Sequence, residues 1–253
     1  MRREHKIFVI IPVLNEADTI ADVVRAIPSF VDEIIVADNG STDNSPRIAQ
    51  ATGATVVHEP RRGYGAACLK AMNWIDSHAM TDSSAASAIV VYLDGDGADD
   101  PAEMALLTDP IIRREALFVL GSRVLGQCER GALTVTQRFG NWLSCALLQL
   151  LFQVRQTDLG PFRAIRLDAL HRLNMDDLDF GWTVQMQARA AALKLPTLEV
   201  PVNYRNRAGG ASKVSGTIRG VLGAGTTILR VIFLEAQKAN RLRTRGGTQY
   251  HAG

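Results

Sequence analysis

The stretch Val90-Val91-Tyr92-Leu93-Asp94-Gly95-Asp96 decides how this chain is read. Apolar, β-favouring residues run directly into two carboxylates one residue apart, the pattern of a buried strand with a charged exit. In α/β proteins, ligands gather outside the carboxyl ends of parallel strands. Two aspartates there, with Gly95 letting the backbone approach a ligand, make a hard-oxygen site for a divalent cation that also holds phosphates. Asp-x-Asp also arises by chance at the end of an ordinary strand, so the flanking segments carry the decision.

Working outward, Ile7 to Ile11 is a second apolar strand that Pro12 ends, and Asn15 can cap a helix over about 17–27. Residues 32–37 form a strand closing on Asp38-Asn39-Gly40-Ser41-Thr42-Asp43; Ser45 and Pro46 open the next helix and Gly53 stops it. A strand over 54–58, the loop Arg61-Arg62-Gly63-Tyr64-Gly65 and a helix to His78 follow. Beyond the central strand, Asp100-Pro101-Ala102-Glu103 is a capping box for a helix to Arg114, and 116–122 is a strand. This alternation predicts an α/β fold, a mostly parallel sheet flanked by helices on both faces. The strand exits at 12–16, 38–43 and 94–96 then share one rim.

With 253 residues, 47% hydrophobic and 21% charged, the chain suits one large α/β domain. A net charge of +2 argues against a dedicated nucleic-acid binder. Cys68, Cys128 and Cys145 form neither a zinc pattern nor a disulfide framework, which points to a reducing cytoplasm. No signal peptide and no membrane span are expected. The first strand is followed by Asn15-Glu16, not by the glycine-rich turn of a dinucleotide dehydrogenase or the glycine-rich basic loop of a nucleotidyltransferase, and the latter stays as a lower-ranked alternative.

The motifs Pro12-x-x-Asn15-Glu16, Asp38-x-x-Ser41-x-Asp43, Gly63-Tyr64-Gly65 and Asp94-x-Asp96 come in the order of the family-2 glycosyltransferases of GT-A (Rossmann-like) fold, which the chain resembles over roughly 6–235. Gly121-Ser122-Arg123, Arg138-Phe139-Gly140-Asn141 and Arg207-Ala208-Gly209-Gly210-Ala211-Ser212-Lys213 look like the dolichol-phosphate mannose synthase and polyprenyl-phosphate glycosyltransferase branch. The resemblance implies that Pro12, Leu14, Asn15, Glu16 and Asp38 hold the base and ribose of a nucleotide sugar. It also implies that Asp94 and Asp96 hold Mg²⁺ or Mn²⁺ on the diphosphate, with Gly63, Gly65 and Gly95 in the same donor set. Leu14 stands where the synthases carry an aromatic residue, which leaves uracil and guanine both open. Ala98 stands where they offer a side-chain oxygen, leaving Asp99 or water to complete the metal's ligands. Gln185 occupies a place where relatives often have a carboxylate.

Arg123, Arg138 and Arg163 are candidates to hold an acceptor phosphate by paired hydrogen bonds. Asp158, in the Thr157–Arg163 segment, falls on the side that binds the acceptor in relatives. Inverting transfer to a polyprenyl phosphate needs no strong base, because that acceptor is already ionised. A soluble hydroxyl or glycan acceptor is the alternative, and it would need Asp158 or Asp179 as base. Arg207 and Lys213 are expected to close over the diphosphate on glycine hinges. The apolar segment 133–154 reads as a helix buried in the core, in a homo-oligomer contact, or on a bilayer; the resemblance favours the bilayer. The organisation expected is a catalytic domain over 1–215, a C-terminal amphipathic helix over 216–240 and a basic, disordered tail over 241–253. A peripheral place on the cytoplasmic membrane face follows from that reading.

Overall fold

The computed structural model describes residues 5–78, 87–209 and 218–247. Seven strands form one sheet: β1 (Ile7–Val13), β2 (Glu33–Asp38), β3 (Thr55–His58), β4 (Ile89–Tyr92), β5 (Phe118–Ser122), β6 (Arg163–Arg166) and β7 (Thr197–Pro201). Their order is β3-β2-β1-β4-β6-β5-β7. Neighbours are parallel except at β6, which runs antiparallel to both β4 and β5. β7, bounded by Pro196 and Pro201, lies at an edge as its prolines suggest.

Alternation along the strands builds two cores. Phe8, Ile10, Val90 and Tyr92 face one layer with α3 (Tyr64–His78), α6 (Leu167–Leu173) and α7 (Trp182–Ala192). Ile7, Val9, Ile11, Ile89, Val91 and Leu93 face the other, with α1 (Ile20–Ala26), α2 (Ser45–Ala51) and α4 (Met104–Ile112). The expected mostly parallel sheet with helices on both faces is what forms. The short helix α6 had no foreseen counterpart, because its seven residues carry too few turns for a clear period.

A third apolar layer lies outside α7, where α5 (Val135–Phe152) and α8 (Ile218–Gly247) pack on it through Leu148, Phe152, Val184, Ala188, Val231 and Ile232. Glu235 accepts hydrogen bonds from Arg189 at 2.9 and 3.0 Å and from the Gln185 amide at 3.1 Å, pinning α8 to α7. The helix runs to Gly247, past the boundary at 240 expected from the basic run, so the segment 241–247 is helical rather than a disordered tail. Residues 248–253 lie outside the described residues. No helix among the described residues is long and apolar enough to cross a membrane.

Candidate active site

The exits of β2, β1 and β4 meet on one rim, and side-chain bonds stitch the first two loops together. Asn15 has φ 53, and its side-chain oxygen accepts from the Thr42 N–H at 2.7 Å. It ties loop to loop instead of capping α1, which starts after Thr19 without a side-chain cap. The Glu16 N–H donates to Ser45 Oγ at 2.8 Å, and the Asn15 N–H to Ser41 Oγ at 3.0 Å. Asp38 is buried; it accepts from the Ser41 N–H at 3.0 Å and pairs with His58 Nδ1 at 2.8 Å. Pro12 and Leu14 flank this groove, half-buried.

Gly63 and Gly65 answer a packing demand. A Cβ on Gly63, whose φ is +140, would come within 2.0 Å of the Leu178 carbonyl oxygen, and one on Gly65 within 2.1 Å of that of Asp177. The loop before α3 passes directly under residues 177–178, and Tyr64, between the two glycines, reaches the carboxylates instead. Its hydroxyl donates to Asp94 at 3.2 Å, a role the sequence did not reveal.

Asp94 and Asp96 stand together at the exit of β4. Thr19 Oγ1 donates to the Gly95 carbonyl at 2.7 Å, fixing this turn to the start of α1. Burial first, then the charge of Asp96, push the Asp94 carboxyl up to about 7 against the pull of Arg207 and Tyr64. Arg207 places its guanidinium 2.9 Å from Asp96 and 3.9 Å from Glu16. The pair thus offers hard oxygens to a cation, and a positive group already stands on one of them. Among the described residues no three His, Cys, Asp or Glu groups converge to hold a metal ion. Asp99, three residues on, is buried, with neither carboxylate oxygen hydrogen-bonded. Lys213 lies outside the described residues.

Because β6 is reversed, its entry loop reaches the same rim as the exits of β4 and β5. Arg123, just past β5, grips Asp158 with Nε and Nη2 at 2.8 and 2.7 Å, and its own N–H donates to the same carboxylate at 2.8 Å. Burial works against the Arg123 charge, but Asp158 outweighs it and holds the guanidinium above its ordinary pKa. Tyr204 stacks on that guanidinium, 5.0 Å from ring centre to Cζ.

Arg163 differs from expectation: its side chain is buried and donates to the carbonyls of Gly160, Leu159 and Thr183. It braces the 157–163 loop and offers no face to an acceptor. Burial pulls its pKa down to about 10. Gln185 is likewise interior, accepting from the N–H groups of Asp176 and Asp177 at 3.1 and 2.9 Å.

Arg138 is exposed on α5, one turn from Asn141, whose amide joins α5 to the loop through Thr157 O and the Leu159 N–H at 2.9 Å each. Asp179 is exposed.

A family model described as glycosyl transferase family 2 matches residues 8–173. An uncharacterized glycosyltransferase of Mycobacterium tuberculosis is 32% identical, over 84% of this chain and 91% of that one. The undecaprenyl-phosphate mannosyltransferase of Micrococcus luteus is 25% identical, over 85% and 90%. Among solved structures, glucosyl-3-phosphoglycerate synthase from Mycobacterium tuberculosis, in complex with Mn²⁺, UDP-glucose and phosphoglyceric acid, superposes with a TM-score of 0.71 at 23% identity, covering 93% of this chain and 81% of that one.

Proposed function

This chain belongs to glycosyl transferase family 2, and on that premise we propose that it transfers a hexose, with inversion, from a UDP- or GDP-sugar to a polyprenyl-phosphate-type acceptor. The observation that carries the reading is the Asp94–Asp96 pair beside Arg207 at the exit of β4. Asp38, Pro12, Leu14 and Glu16 supply the groove for base and ribose. Asp94 and Asp96 would hold Mg²⁺ or Mn²⁺, which would supply positive charge against the departing nucleoside diphosphate. Arg207 leaves Asp96 and turns its fork to the diphosphate, a charge-assisted contact of the kind guanidinium groups make best.

An acceptor phosphate oxygen attacks the anomeric carbon. The bond from that carbon to the diphosphate breaks, and the nucleoside diphosphate leaves with the electron pair. The attacking oxygen is already ionised, so the interior position of Gln185 costs the reaction nothing. Arg123 orders the acceptor side through Asp158, and we assign the acceptor phosphate to exposed Arg138, one turn from the Asn141 that holds the acceptor loop.

A lipid phosphate is favoured over a soluble hydroxyl by two features. Asp158, a candidate base for the hydroxyl version, is held by three donors of Arg123 and is not placed to take a proton. The helix that orders the acceptor loop also exposes an apolar stripe, Val135, Phe139, Trp142 and Leu150, at helical spacing on one face. Such a stripe fits a peripheral membrane surface. Incubation with radiolabelled UDP-glucose or GDP-mannose, membrane lipids and Mn²⁺ should send counts into the organic phase. Counts confined to the aqueous phase, with soluble product formed, would refute the lipid acceptor.

A further inference from the structure

Three residues past Asp96, Asp99 carries a carboxyl group that the reaction described above does not use. It is 3% exposed, and neither of its carboxylate oxygens has a hydrogen-bond partner. Its backbone is fixed: Asp99 bridges Tyr204, and the Ala98 carbonyl accepts from the Arg205 N–H at 2.8 Å. A buried carboxylate without a partner is costly, and nearly all such groups in folded proteins find one. Its bridge partner Tyr204 lies against the Arg123 guanidinium at 5.0 Å, so Asp99 stands near the Arg123–Asp158 pair at β5 as well as three residues from the carboxylate pair at β4.

Those neighbours narrow what could complete it. Another anion would face the carboxyl groups of Asp94, Asp96 and Asp99, with Arg123 already paired to Asp158 and Arg207 to Asp96, so a phosphate is a poor partner. The fork of Arg123 is already turned to Asp158. No three acidic, imidazole or thiol groups among the described residues converge on a metal position. A neutral group that donates through O–H fits, water in the empty protein and a ligand hydroxyl in its place, and one carboxylate can accept from two adjacent hydroxyls. The place is right as well. A sugar in transit from a diphosphate at Asp94 and Asp96 to an acceptor beside Arg123 lies between these two pairs.

We propose that Asp99 binds the hexose of the donor, accepting hydrogen bonds from two of its ring hydroxyls and thereby discriminating among epimers. The inference rests on the glycosyl-transfer reading of this rim. It also explains why an unpartnered carboxyl group is kept in the interior, since a group that serves a ligand can cost the empty protein stability.

The test is calorimetric binding of UDP-glucose, UDP-galactose, GDP-mannose, UDP and GDP, each with Mn²⁺, to wild type, Asp99→Asn and Asp99→Ala. The sugar nucleotide that wild type prefers should bind the variants about tenfold or more weakly, as expected for a lost hydrogen bond to a charged group. The matching diphosphate should change less than about twofold, and the preference between UDP-glucose and UDP-galactose should shrink. Asp99→Asn keeps the size and shape of the side chain, and this variant carries the test if Asp99→Ala does not fold. Equal weakening of sugar nucleotide and diphosphate would place Asp99 on the metal–diphosphate and overturn the proposal. Unchanged sugar binding would overturn it too. If wild type binds none of the five, the nucleotide-sugar reading itself fails, a result distinct from failure at Asp99 alone.

Discussion

Replacing Arg207 with Met should move two affinities in opposite directions. In the ligand-free protein the guanidinium lies 2.9 Å from an Asp96 oxygen whose side chain is 4% exposed, while Arg207 itself is 33% exposed. Two unit charges about 4 Å apart attract by about 4 kcal/mol at an effective dielectric of 20. The open side of Arg207 and the freedom of its long side chain reduce this to about 1–2 kcal/mol. A divalent ion entering the site must displace that contact. The variant should therefore bind Mn²⁺ about 5–30-fold more tightly than wild type when no nucleotide is present. With Mn²⁺ saturating, UDP or GDP should bind more weakly by a similar factor, because the fork that meets the diphosphate is gone. Electron paramagnetic resonance of free Mn²⁺ gives the first quantity and calorimetry the second. A variant that binds Mn²⁺ no better than wild type would refute the idea that Arg207 holds the cation's place.

Asp96→Ala and Asp94→Ala should each lower turnover at least about 10²-fold with the fold intact, checked by product formation and circular dichroism. Asp158→Asn should cost about 3–5 kcal/mol in urea unfolding, since it strands the buried Arg123 charge, whereas the exposed pair Arg113–Glu115 should be neutral to removal. Burial pulls the Glu235 carboxyl up, but hydrogen bonds from Arg189 and Lys238 outweigh it and hold the pKa below 4.5. Its contribution is therefore present above pH 4.5 and lost as pH falls through the lowered value, so α8 should become protease-sensitive before the sheet does. Phe139→Ser with Trp142→Ser should weaken binding to anionic vesicles in flotation assays while leaving the melting temperature nearly unchanged, because both side chains are exposed.

The nucleotide half of the fold was legible because its strands are short, apolar and closed by charged or turn-forming residues. Ile7–Ile11, 32–37 and 88–93 each announce a buried strand and its exit, and parallel packing does the rest. The acceptor half was less legible. Arg163 and Arg123 look alike in sequence, yet one braces carbonyls in the interior and the other pairs with a carboxylate 35 residues away. Which it would be depends on the reversed strand β6, which no local pattern encodes. At Gly63 and Gly65 a side chain would meet the chain at 177–178, a packing demand that no local pattern shows. Tyr64 as a partner of Asp94 and Asp99 as an unpaired carboxylate show only once distant loops meet.

The reversed β6 also has a consequence for how the protein is made. β4 is flanked by β1, synthesised long before it, and by β6, synthesised about seventy residues after it. At a translation rate of about 5–20 residues per second, the free edge of Ile89–Tyr92 waits several seconds on the ribosome for its second neighbour. An unpaired edge made wholly of β-branched and aromatic residues invites pairing with another nascent chain. Donor binding would cover none of that edge, since the nucleotide rests on the rim and not on the flank. Yield on overexpression should hence depend on how fast codons 93–166 are read, more than on any substitution in the finished site.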